Sequence, residues 1–69
     1  MYNEKDYEVV NKELFHLGKK TNICLFTLAN GMEVLGSCFT IKKDMGEELA
    51  EKNAIKALER LKAKMKADE

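Results

Sequence analysis

Residues 21–40 read TNICLFTLANGMEVLGSCFT. Asn30-Gly31 stands between two apolar runs, the strongest short-range signal for a β-hairpin, because a two-residue type I′ turn needs positive φ at both central positions. With that turn, Ala29 faces Met32, Thr27 faces Val34, Leu25 faces Gly36 and Ile23 faces Cys38. These eight residues then share one face of the ribbon. Cys24, Phe26 and Leu28 share the other with Glu33, Leu35, Ser37 and Phe39. Both faces are mostly apolar, so the hairpin calls for two covers. A hairpin wet on one side shows a cleaner polar alternation.

One cover is the C-terminal segment. Residues 45–66 read as a long helix, with Asp44 as its cap and Glu47 completing a capping-box-like pair. Gly46, Ala50 and Ala54 recur every four residues, and Leu58, Leu61 and Met65 continue the stripe. Small residues let this helix lie close on a sheet. Upstream, Tyr7, Val10, Leu14 and Leu17 recur at helical spacing, so residues 1–17 read as a short helix. Asn3 is its cap and Gly18 its left-handed stop. Val9, Val10 and Phe15 also suit a strand. Gly36, inside the second strand, marks a bulge or a close approach, either of a neighbouring side chain or of a ligand or partner backbone. The expected fold is a single α+β domain over residues 1–69 of order α-β-β-α, with an N-terminal helix (1–17), a hairpin (21–41) and a C-terminal helix (45–66).

A 69-residue chain buries only about 60% of its unfolded surface and needs a staple. In the register above, Cys24 and Cys38 point to opposite faces, which disfavours a disulfide. A single histidine, His16, without Cys-x-x-Cys or His-x-x-x-His spacing argues against a metal site; His16 reads as a surface or helix-end residue. Self-association is the remaining staple, so a homo-oligomer of at least two copies is expected. Phe26, Leu28, Leu35 and Phe39 are its expected interface.

Lys plus Arg equals Asp plus Glu at twelve each, without the basic excess that drives non-specific nucleic-acid binding. Glu47, Glu48 and Glu51 lead the last helix, and Lys56, Arg60, Lys62, Lys64 and Lys66 follow. That polarity suits the helix macrodipole, or else makes a basic binding surface. The element order resembles a double-stranded-RNA-binding domain, but the acidic first turns stand where that domain needs base. No nucleophile elbow, Walker loop, dinucleotide fingerprint or zinc motif occurs, so no catalytic residues, metal or cofactor are assigned and no enzyme is expected. With neither a signal peptide nor a long apolar run, the chain reads as soluble and cytosolic.

Residues 21–61 carry a family likeness: Cys24 in the first strand, the Leu28-Ala29-Asn30-Gly31 turn, Gly36, and the helix Gly46-Glu47-Glu48-Leu49-Ala50-Glu51-Lys52-Asn53-Ala54. This pattern resembles a small tailed-phage protein family represented in phages N4 and Sf6. Ser37-Cys38 departs from the family's Glu-Ser, and the link before Asp44 is Lys-rich. The resemblance implies a phage-encoded protein acting in the cytoplasm of an infected bacterium, from a family without an assigned reaction. A homo-oligomeric binding protein that counters bacterial defence by sequestering a nucleotide-derived immune signal fits that setting. The alternatives are an interaction module that inhibits a host or defence protein, and a nucleic-acid-binding accessory protein. For an anionic ligand, the candidate contacts are Lys43 and Arg60 for phosphate and Asn53 for directional hydrogen bonds.

Overall fold

The computed structural model describes residues 2–40 and 43–68, with the side chains of Lys43 and Asp44 also outside the description. The fold is α+β. A short 3₁₀ turn (Glu4–Tyr7) leads into β1 (Val9–Leu17), β2 (Thr21–Leu28), β3 (Glu33–Phe39) and a long helix α1 (Lys43–Ala67). The strands form one antiparallel sheet in the order β1-β2-β3. Helix α1, 25 residues and so about 37 Å long, lies across β2 and β3 on one face.

The expected N-terminal helix over residues 1–17 is corrected: only Glu4–Tyr7 is helical, and Val9–Leu17 is a strand. The Tyr7-Val10-Leu14-Leu17 spacing loses to two stronger influences. Val9, Val10 and Phe15 favour extended backbone. Pairing with β2 also satisfies a row of backbone groups that would otherwise form a second open edge. Gly18 does take positive φ (69°), but in the turn between β1 and β2 rather than at a helix end.

The β2–β3 hairpin is where expected, with its register moved by one residue. Thr27 faces Glu33, Phe26 faces Val34, Cys24 faces Gly36 and Asn22 faces Cys38. The loop is the cause. It holds three residues rather than two: the Gly31 N–H donates to Leu28 O at 2.9 Å, and the Leu28 N–H donates to Met32 O at 2.8 Å. Gly31 alone takes positive φ (88°), while Asn30 keeps negative φ and its side chain accepts from the Met32 N–H at 2.9 Å. A three-residue loop ending in a left-handed glycine is the next commonest hairpin solution. A one-residue slip exchanges the faces of a whole strand. Gly31→Val should therefore cost about 1–3 kcal/mol, read as a lower urea midpoint, since a β-branched residue resists that φ.

The slip decides the core. Cys24, Phe26 and Leu28 of β2 are buried against Ala50, Ala54 and Leu58 of α1, with Tyr7, Val34, Cys38 and Leu61 packed around them. Phe26 and Leu28, expected at an interface between copies, belong instead to the core of one chain. Cys24 and Cys38, expected on opposite faces, share the helix-facing side on diagonal positions, and both are free thiols.

The Gly46-Ala50-Ala54-Leu58 stripe is the buried side of α1, as its spacing predicts. Gly36 explains how close the helix comes. A Cβ there would run into backbone atoms of Ala50, Asn53 and Ala54, so the close approach is by the chain's own helix. A Cβ on Gly46 would run into the side chains of Asn22 and Thr40. Asp44 lies at the second helical position rather than at the cap. The expected strand end at Ile41 lies outside the described residues.

Candidate functional site

Side-chain alternation divides the sheet into two unlike surfaces. On the helix side, β1 contributes Lys12, Leu14 and His16. The Lys12 ammonium meets Glu51 at 3.1 Å, and His16 Nε2 lies 3.4 Å from Glu47, a contact that becomes an ion pair only when the imidazole is protonated. The acidic first turns of α1 thus reach over to the edge strand. Each pair is more than a third exposed, so each contributes well under about 1 kcal/mol. At the far end, Tyr2 and Tyr7 stack at 5.2 Å, and the Lys66 ammonium sits 5.2 Å above the Tyr2 ring. The N-terminal residues are thereby laid against the C-terminal end of the helix.

Asn22 is buried between His16 and Cys38 in one row across the sheet, beneath the first turns of α1. Among the described residues its Oδ1 has no hydrogen-bond partner, and a buried acceptor left so costs about 1–3 kcal/mol. Burial pushes the Cys24 thiol above its ordinary range; nearby Glu51 adds to the rise and Lys12 opposes it. The sign follows from which form is favoured. The neutral thiol is favoured in the fold, so its contribution is complete at neutral pH and is lost as pH rises into the thiol's own titration range. A thiol-alkylating reagent applied at neutral pH should label Cys38, which is half-buried, well before Cys24. Equal rates, or a native mass two hydrogens light, would contradict this assignment.

The three residues singled out for an anionic ligand do not form one cluster. Asn53 sits at the helix edge, and its Nδ2 donates to Ser37 O of β3 at 2.8 Å. That bond ties α1 to the sheet and occupies part of the amide's donor capacity. Arg60 is exposed on the same side of α1, two turns or about 10 Å further on. Lys43 opens the helix, about 25 Å along the axis from Arg60. A small ligand on one chain can touch Asn53 and Arg60 together but not Lys43 as well. Among the described residues no group of three His, Cys, Asp or Glu side chains could hold a metal ion.

Among the described residues nothing covers the opposite face of the sheet. Register places Leu17, Thr21 and Phe39 in one row across it. Phe15, Ile23 and Ser37 make the next row, then Glu13, Leu25 and Leu35, then Asn11, Thr27 and Glu33. Phe39 is 72% exposed, Leu17 62%, Leu35 56% and Phe15 41%. The reading of β1 as a helix hid half of this surface. The signal for it was the alternation Asn11, Glu13, Phe15, Leu17 against Lys12, Leu14, His16. Among the described residues no helix is long and apolar enough to cross a membrane. No family model, curated protein or solved structure matches the chain.

Proposed function

We propose that this chain is a binding protein that works as a homo-oligomer rather than an enzyme. The single observation that carries the reading is the open sheet face. Contiguous exposed apolar surface beyond a few hundred Å² marks an interaction site, and here Phe15, Leu17, Leu35 and Phe39 spread it over three of the four rows of the open side. The likeness of residues 21–61 to the tailed-phage family supplies the setting: a phage-encoded protein in the cytoplasm of an infected bacterium. In that setting the oligomer sequesters a nucleotide-derived immune signal and so blunts a defence response. The basic half of α1, with Arg60 two turns beyond Asn53 on the same side, supports an anionic ligand of this kind.

The open face also favours a second reading, a module that inhibits a host or defence protein by docking on it. A nucleic-acid partner has less support, because among the described residues none on the open face is lysine or arginine. Native mass spectrometry of the protein purified gently from infected cells separates the readings. A mass at a multiple of 7.9 kDa plus a nucleotide-sized adduct is expected. A bare 7.9 kDa species contradicts the oligomer. A stoichiometric host protein in place of the adduct replaces sequestration with the second reading. Binding that weakens steeply with salt replaces both with nucleic-acid recognition.

A further inference from the structure

We propose that the open sheet face packs against the same face of a second copy, giving a four-layer helix–sheet–sheet–helix dimer. The inference rests on the homo-oligomeric reading and adds the surface and the arrangement. Size comes first. A free aromatic side chain carries about 150–250 Å², and with leucine taken near the lower end of that range Phe15, Leu17, Leu35 and Phe39 at their exposures leave on the order of 400 Å² of apolar surface in water. Two such faces hide about twice that, and with their polar margins they reach the lower end of the roughly 1,200–2,000 Å² of a stable specific interface. The face is therefore large enough for a dimer of itself.

Chemistry narrows the occupant. With acidic Glu13 and Glu33 as its only charged residues among the described ones, the face suits neither phosphate backbones nor anionic lipid headgroups. Shape narrows it further. On the other side, α1 approaches closely because Gly36, Gly46, Ala50 and Ala54 are small. The open face instead carries large side chains in three of its four rows, Leu17 and Phe39, Phe15 and Ile23, Leu25 and Leu35, which suits packing against another sheet about 10 Å away.

The register also makes the face complementary to itself. With a two-fold axis along β2, β1 of one copy lies over β3 of the other. Leu17 then meets the partner's Phe39, Phe15 fills the space over the partner's Ser37, and Ile23 meets the partner's Ile23. By the same operation Glu13 lies over the partner's Leu35, with its carboxylate on an edge strand where it can reach water, and Asn11 lies over the partner's Glu33 in the polar end row. Contacts related in this way are isologous, as a closed dimer requires.

Size-exclusion chromatography with light scattering, run on four proteins, tests the proposal. The wild type is expected at twice 7.9 kDa. Phe39→Glu and Leu17→Glu, both at exposed positions of the single chain, should run at 7.9 kDa with unchanged far-ultraviolet circular dichroism. Ile55→Glu, on the helix and 43% exposed, should remain dimeric. Dimeric Phe39→Glu and Leu17→Glu would overturn the face assignment and leave the homo-oligomer standing. Dissociation by Ile55→Glu alone would do the same and move the interface to α1. A monomeric wild type would overturn both readings.

Discussion

Gly36→Val should leave the chain without a cooperative thermal transition. A Cβ at this position runs into the helix backbone at Ala50, Asn53 and Ala54, and backbone cannot swing aside as a long side chain can. Relief requires lifting α1 from β3. That would strip cover from Ala50, Ala54 and Leu58 on one side and from Cys24 and Phe26 on the other. Overpacking a close contact typically costs about 1–3 kcal/mol, and more where nothing can yield. A domain of this length has only about 3–10 kcal/mol in all. Gly36→Ala should therefore be severely destabilised, and the larger β-branched side chain should exceed the margin. Gly18→Ala is the informative comparison. Gly18 has positive φ but open space around it, so only the backbone penalty applies, about 1–2 kcal/mol. Circular dichroism melts of the three variants check the ranking; a folded Gly36→Val with a near-normal midpoint would contradict the helix placement.

Phe26→Ala is the second large effect. Phe26 is 4% exposed beneath α1, and removing a buried aromatic costs about 3–5 kcal/mol. The loss relative to the wild type should be the same at every protein concentration, because the ring is buried within one chain and both proteins unfold from the same dimer. Phe39→Ala should behave in the opposite way. Little of the Phe39 ring is covered by its own chain, so the effect should appear as weaker association, with stability that depends on concentration. Urea melts at two protein concentrations distinguish the pair. A Phe26→Ala loss relative to the wild type that differs between the two concentrations would return that residue to an interface.

These two residues also show how far the sequence could be read. The long helix and its small-residue stripe were legible because Gly46, Ala50, Ala54 and Leu58 repeat every four residues along a run of good helix formers far too long for a strand. The hairpin was legible from Asn30-Gly31. Its register was not, since the same dipeptide closes two-residue and three-residue loops, and one residue of difference exchanges Leu35 and Phe39 with Val34 and Cys38 between the faces. That exchange moved Phe26 and Leu28 into the core and left Leu35 and Phe39 outside. At the N-terminus, a four-residue apolar pattern fitted a helix while β-branched and aromatic residues fitted a strand. Pairing with β2 decided between them, and local sequence does not contain that partner. The Lys12–Glu51 contact and the bond from Asn53 to Ser37 join residues 39 and 16 positions apart, beyond the reach of any spacing rule. The expectation of an apolar ribbon needing two covers survives in altered form: α1 supplies one cover, and the other face, widened by Phe15 and Leu17 of β1, stays open.

That open face is the centre of the account, and sedimentation equilibrium of the wild-type protein across the micromolar range addresses it most directly. Association driven by the face predicts a weight-average mass that rises with concentration towards twice 7.9 kDa, or that already stands there at the lowest concentration. A single species at 7.9 kDa throughout the range would contradict it.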